Sequence, residues 1–245
     1  MCGIVGVTGN DRSVSILIDG LKRLEYRGYD SAGIYVNDEK GHDYLVKRSG
    51  RISNLEAALT PEVKGLAGIG HTRWATHGVP NETNAHPHYS NDERFYLVHN
   101  GVIENYQQLK EEYLKGVEFK SQTDTEVIVQ LVDKFVVDYK MDTKDALLKV
   151  LRLISPDSSY AFALMDREQP DTLFVAKNKS PLLVGLCQGY NMVGSDAMSM
   201  IDETNEFMEI NDHELVIVKP DNVTIEEFDG TEKKRDSFKV DMDPS

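Results

Sequence analysis

The chain has two cysteines, and one of them, Cys2, directly follows the initiator methionine. A thiol so close to a chain end is usually frayed and open to unwanted chemistry. Here Ile4, Val5 and Val7 follow it, an apolar run that reads as a buried strand and would hold the thiol in place. The ordinary role of a free cysteine at a strand start is that of a small buried hydrophobe. The chemical alternative is an N-terminal nucleophile. Excision of Met1 leaves a free α-amine on Cys2, and such an amine, with a pKa of ~7.7–8.0, is partly neutral base at pH 7. It can take the proton of its own residue's thiol directly or through a water. Cys187, in VGLCQGY, has no such neighbour and reads as a core residue.

Four further groups have the right chemistry near them. HTRWATHG (71–78) delivers Arg73 from a strand into a loop, where a guanidinium is either a solvated charge or a two-pronged grip for a carboxylate. Trp74, the only tryptophan, suits a cover over a site. In VHNG, Asn100-Gly101 is a strong hairpin-turn signal; the alternative is an oxyanion hole built from the Asn100 amide and the Gly101 N–H. Asp124 stands in the first turn of a capped helix, where it either complements the helix dipole or meets a ligand ammonium. LEYRGYDSAG places Arg27 and Asp30 in a loop between helix and strand and says nothing more alone. Five of the seven histidines fall between His71 and His99. They show no helical H-x-x-x-H, and no thiol or carboxylate shares a ligand spacing with them, so hydrogen-bonding roles are expected and no metal. There is no phosphate-cradling glycine motif, so no nucleotide and no cofactor are expected.

The elements that must position these groups follow from periodicity. Residues 2–8, AGIYV, DYLVKR, LAGIGHTR and RFYLVHNG read as strands, the second and third forming a hairpin around Asn37–Gly41. SVSILIDGLKRL, NYQQLKEEYL, TDTEVIVQLVDKFVVDY and TKDALLKVLRLI read as helices, with Ser13 a candidate N-cap and Thr123/Glu126 spaced as a capping box. Beyond Ser155 come short strands: YAFALMD, TLFVAKN, LLVGL, YNMVGSD, HELVIVK and VTIEEFD. Grouped helices and many strands predict an α+β fold, with antiparallel sheets packed face to face and helices outside. One domain is expected over 2–230, with the polar 231–245 as the start of a linker.

Composition narrows the class. Basic residues number 27 and acidic ones 41, giving a net charge of −14, which argues against nucleic acid or an anionic membrane as partner. There is no signal-peptide pattern and no run of ~20 apolar residues. Two distant cysteines make no disulfide framework, so a reducing cytoplasm is expected.

Taken together and in order, MCGIVG, LEYRGYDSAG, GIGHTRWATHG, NAHPH, LVHNGVIENY, SQTDTEV and VAKNKSPLLVG resemble the glutaminase domain of the glucosamine-6-phosphate synthase family, class II N-terminal-nucleophile amidotransferases. The resemblance spans essentially the whole chain. It implies a four-layer αββα sandwich, and hydrolysis of L-glutamine to L-glutamate and ammonia through a thioester. It implies Cys2 as nucleophile with its own α-amine as base, and Asn100 and Gly101 as oxyanion hole. Arg73, with Thr76 and His77, would hold the substrate α-carboxylate, Asp124 its α-ammonium, and Trp74 would belong to a closing loop. Members continue into sugar-phosphate isomerase domains that bind fructose 6-phosphate and receive the ammonia to make glucosamine 6-phosphate; as full-length proteins they are compatible with homodimers. Two rival readings stand beside this one. Another amide hydrolase of the same nucleophile class would share Cys2 but not the Arg73–Asp124 pair. A catalytically silent binding module would keep the fold and retain Met1.

Overall fold

The computed structural model describes residues 2–74 and 78–241. Among them the strands are β1 Gly3–Thr8, β2 Ser31–Asn37, β3 Asp43–Ser49, β4 Ala67–Arg73, β5 His88–Tyr89, β6 Phe95–Val102, β7 Ser159–Asp166, β8 Gln169–Asn178, β9 Leu183–Leu186, β10 Asn191–Gly194, β11 Glu206–Glu209, β12 Glu214–Val218, β13 Val223–Glu227, β14 Glu232–Lys233 and β15 Phe238–Lys239. The helices are α1 Ser13–Leu24, α2 Ile52–Ala57, α3 Tyr106–Tyr113, α4 Asp124–Val137 and α5 Thr143–Leu153.

The strands form two antiparallel sheets, ordered β15-β11-β9-β10-β1-β4-β2-β3 and β14-β13-β12-β8-β7-β6-β5. Alternation along single strands shows why both sheets are covered on both faces. In β6, Phe95 and Leu97 point into one core while Tyr96 and Val98 point into another. In β1, Ile4 faces the same inter-sheet core as Tyr96, whereas Val5 and Val7 face α1 and α2. Three apolar layers thus separate four structural layers, αββα, as the sequence leads one to expect. The middle layer includes the stacked Tyr35 and Tyr96 rings, 3.7 Å apart.

Several local expectations differ from the structure. Ser13 does not cap α1: its hydroxyl donates to the Gly65 carbonyl, tying the helix start to the loop before β4. Only half of the capping box forms. Thr123 accepts the Glu126 N–H at 3.3 Å, but the Glu126 carboxylate accepts the N–H groups of Lys120 and Ser121. Asn100-Gly101 is not a hairpin turn, because both residues lie within β6, paired with Ala161 and Tyr160 of β7. The segment read as the start of a linker adds β14 to one sheet and β15 to the other. Arg235, between them, makes a two-pronged ion pair with buried Glu214 at 2.7 and 2.8 Å.

Candidate active site

Strand register explains how the second residue of the chain reaches a cleft. Gly3 pairs with Thr72 in the antiparallel β1–β4 ladder, so Cys2 falls beside the end of β4, at Arg73 and Trp74. The Trp74 N–H donates to the Cys2 sulfur at 3.2 Å, and the thiol faces the Trp74 carbonyl at 3.4 Å. Burial pushes the thiol above its ordinary pKa, while the Trp74 backbone contact and then Arg73 pull in the opposite direction.

Asn100 faces Cys2 from the opposite sheet. Its Nδ2 donates to the Cys2 carbonyl at 3.3 Å and lies 3.4 Å from the Ser195 hydroxyl. Ser195 in turn accepts the N–H of Ile4 at 2.8 Å, fixing the start of β1. Gly101 has φ of +98°, and a Cβ there would run into the Ser159 carbonyl of β7, so no other residue fits this bend of the strand.

The third contribution comes from the N-terminus of α4. Asp124 is buried, and its Oδ2 accepts the Ile103 N–H at 2.8 Å, which binds the helix start to the chain leaving β6. Arg73 is also buried, donating to the Val79 carbonyl at 3.3 Å. Trp74 is 54% exposed and lies over Gly28, where a Cβ would press on the ring at 3.1 Å. Cys2, Arg73, Trp74, Gly101 and Asp124 line one narrow cleft with His86, His99, Thr123 and Thr125. Asn100 meets Cys2 at its edge. Thr76 and His77 lie outside the described residues. A larger cavity, lined by Tyr35, Arg94 and Arg167 among others, shares no residue with this cleft. It contains no thiol, and its arginines are already paired, Arg167 with Asp43 and Arg94 with Asp166, each at 2.9 Å.

The histidines form something spacing alone does not reveal. His71 and His86 stack at 4.0 Å, and the His88 ring meets His86 edge-on at 4.7 Å. Several ring nitrogens are taken up by the fold: His86 Nδ1 accepts the His99 N–H, His88 Nε2 meets the Thr123 hydroxyl, and His99 Nδ1 meets that of Thr125. Burial drives the pKa of His71 down to about 3 and those of His86 and His88 well below the ordinary value, so these rings are neutral at pH 7. Among the described residues no group of three or more His, Cys, Asp or Glu side chains is arranged to hold a metal ion. Nor is any helix among them long and apolar enough to cross a membrane. Ser195 was not a sequence-level candidate. It lies far along the chain, in no motif, and only the β1–β10 pairing brings it to the site.

The comparisons with known proteins bear on the family and the fold. Residues 62–222 match the model of the glutamine amidotransferase domain. The chain is 60% identical over 243 residues to a glutamine–fructose-6-phosphate aminotransferase (isomerizing) of Lactiplantibacillus plantarum, and covers 99% of this chain and 40% of that protein. It is 59% identical to the protein of the same name from Streptococcus pneumoniae, over 100% of this chain and again 40% of the relative. The chain therefore spans 40% of the length of these curated relatives. Among solved structures, the glutamine phosphoribosylpyrophosphate amidotransferase of B. subtilis superposes with a TM-score of 0.80 at 27% identity, over 93% of this chain and 49% of that one. A predicted glutamine amidotransferase of Pseudomonas aeruginosa shares the fold at a TM-score of 0.57 and 15% identity, over 90% and 94% of the two chains.

Proposed function

The chain belongs to the glutamine amidotransferase domain family, and from that premise we propose that it hydrolyses L-glutamine to L-glutamate and ammonia with Cys2 as the nucleophile. The observation that carries this reading is the meeting of Cys2, Arg73, Gly101 and Asp124, from four separate parts of the chain, in one cleft. Glutamine carries one carboxylate, one ammonium and one amide carbonyl, and the cleft offers a cation, an anion and a thiol to match.

The chemistry follows from those positions. Once Met1 is excised, the α-amine of Cys2 takes the thiol proton, and the sulfur attacks the amide carbonyl carbon. The carbonyl oxygen becomes negative, and Asn100 Nδ2, with the N–H of Gly101, receives it. Collapse breaks the carbon–nitrogen bond; the nitrogen leaves as ammonia with the proton held by the α-amine, and a γ-glutamyl thioester remains on Cys2. Water then attacks the thioester, releasing glutamate and restoring the thiol. Arg73, with Thr76 and His77, holds the α-carboxylate, Asp124 holds the α-ammonium, and Trp74 covers the cleft during both steps.

In longer proteins such as the aminotransferases this chain resembles, the ammonia would be passed to fructose 6-phosphate to form glucosamine 6-phosphate. The sugar-phosphate domains of the longer proteins are proposed to follow this one, past the strands β14 and β15, and the cytoplasm is proposed as the site of action. The test is twofold. Cys2→Ala should abolish glutamate release, and a glutamine analogue with an electrophilic γ-carbon should add one covalent label at Cys2. Turnover by Cys2→Ala, or labelling at Cys187, refutes the reading.

A further inference from the structure

Asn100 is useful as an oxyanion donor only if its amide presents nitrogen, not oxygen, to the reacting carbonyl. The two ends of an asparagine amide are nearly the same size, so the sense of the group is set by its partners. One partner in this structure cannot be satisfied in two ways. His71 Nε2 lies 3.0 Å from the backbone carbonyl of His99 and 2.8 Å from Asn100 Oδ1. A carbonyl only accepts, so Nε2 must carry the proton. That proton, shared between two oxygens, requires the Asn100 oxygen to face His71, and Nδ2 is left pointing toward Cys2.

We propose that His71 is a positioning residue for glutamine hydrolysis: its Nε2–H, fixed as a donor by the His99 carbonyl, holds the Asn100 amide in the one sense that makes it an oxyanion donor. This deepens the glutaminase reading and rests on it. The surroundings suit the role. His71 is fully buried on β4, stacked on His86, and its bond to Asn100 runs from one sheet to the other across the sandwich. Its Nδ1 has no hydrogen-bond partner among the described residues, as befits the unprotonated nitrogen, since an unmet acceptor is tolerated better than an unmet donor. A ring kept neutral has one proton to give, and both of its neighbours call for that proton at Nε2.

Substitution separates this role from simple packing. Glutamine places its side-chain nitrogen the same number of bonds from Cβ as Nε2 of histidine, so His71→Gln keeps a donor at that point, whereas His71→Leu fills the space without one. His71→Leu should lower kcat about 10²–10³-fold, the effect of losing one oxyanion donor. Its KM should change less than about threefold, because the contact is made only as the oxyanion forms. His71→Gln should recover most of the loss. In an Asn100→Ala background, His71→Leu should cost less than about threefold more, because the group it orients is already gone. Equal losses in both backgrounds, or no rescue by glutamine, would show that His71 only packs. Long-range ¹H–¹⁵N correlation of the imidazole nitrogens in the unsubstituted protein supplies a readout that needs neither a variant nor turnover: the proton must sit on Nε2, and a proton on Nδ1 overturns the proposal. The Cys2→Ala assay tells the two ideas apart. If that variant still turns over glutamine, the glutaminase reading fails; if it is dead and His71→Leu keeps its kcat, only the positioning role fails.

Discussion

Asp124 accepts the Ile103 N–H at 2.8 Å, so the carboxylate expected to meet an ammonium is tethered to the end of the strand carrying Asn100 and Gly101. This separates its charge from its structural bond. Asp124→Asn keeps an oxygen for Ile103 and loses only the charge. The variant should therefore stay folded while kcat/KM for glutamine falls. Removing one partner of a desolvated charge pair commonly costs ~2–5 kcal/mol, or roughly 30- to several-thousand-fold. Arg73→Lys should lose comparably despite keeping its charge, since an ammonium lacks the fork. Glutamine, N-acetylglutamine and glutamine α-amide, compared on each protein, provide the check. Equal discrimination by all three proteins would remove both residues from substrate recognition.

Gly101 offers a prediction that combines stability and rate. At φ of +98°, with the Ser159 carbonyl where a Cβ would stand, Gly101→Ala cannot be accommodated without moving β6 against β7. Holding a non-glycine residue in such a conformation costs about 1–3 kcal/mol before any clash. For a domain of this size that lowers Tm by about 3–10 °C. Assayed below its own melting range, the variant should also lose about 10²-fold or more in kcat, because the N–H directed at the oxyanion moves with the strand. Unchanged Tm and kcat would mean that the strand has room to adjust.

A carboxyl pair away from the cleft predicts how stability varies with pH. Asp133 on α4 shares a hydrogen bond with Asp92; burial and then that bond raise Asp133 to about 8, whereas Asp92, bonded also to Ser90 and the Arg94 N–H, is lowered despite its burial. An unfolded aspartate titrates near ~3.9. Between there and about 8 the folded chain holds a proton at Asp133 that the unfolded chain has released, so this group makes stability fall as pH rises through that window. Asp133→Asn keeps a donor for Asp92 and removes the penalty. It should leave stability near pH 4 little changed and raise it by on the order of 1–3 kcal/mol at pH 8, allowing for the partial exposure of the group. Urea unfolding at the two pH values measures this; a variant that is less stable at pH 8 contradicts it.

The sequence carried the fold class because helical and strand periods separate cleanly along it, and it carried the candidate site because Cys2, Arg73 and Asp124 sit in local motifs. Other features depend on long-range register and were not legible. Asn100-Gly101 has the composition of a turn, and only pairing with Ala161 and Tyr160 shows it to be inside a strand. Ser195 and Asn100 are neighbours because two sheets face each other, not because of any spacing. His71 and His99 lie on segments read as strands, but that β4 and β6 face each other and bring the two together follows from sheet packing and not from spacing. The chain after residue 230 is mostly polar, and its strands are set by cross-strand bonding, the Arg235–Glu214 pair and the packing of Phe238 on Phe207, none of which shows as a local period.

The Cys2 thiol itself gives the last prediction. Burial raises its pKa above the ordinary 9.0, so it is protonated at pH 7 and not a preformed thiolate. The anion is the nucleophile, and iodoacetamide, which brings no base and makes no use of the cleft, should therefore alkylate Cys2 slowly at pH 7. The rate should climb about tenfold per pH unit through neutral pH and reach its midpoint above that of an ordinary exposed thiol. Cys187, pushed up to about 12 by burial, should react more slowly still across the same range. A γ-electrophilic glutamine analogue should behave differently, because Arg73 and Asp124 hold it while the α-amine removes the thiol proton as the bond forms. Its rate should be high at pH 7 and follow the amine, levelling off near pH 8. Mass spectrometry of both labels against pH measures the two profiles. A single shared profile would mean that Cys2 reacts as an ordinary thiol without a base of its own. An iodoacetamide midpoint below pH 8 would mean that the thiolate exists before substrate arrives.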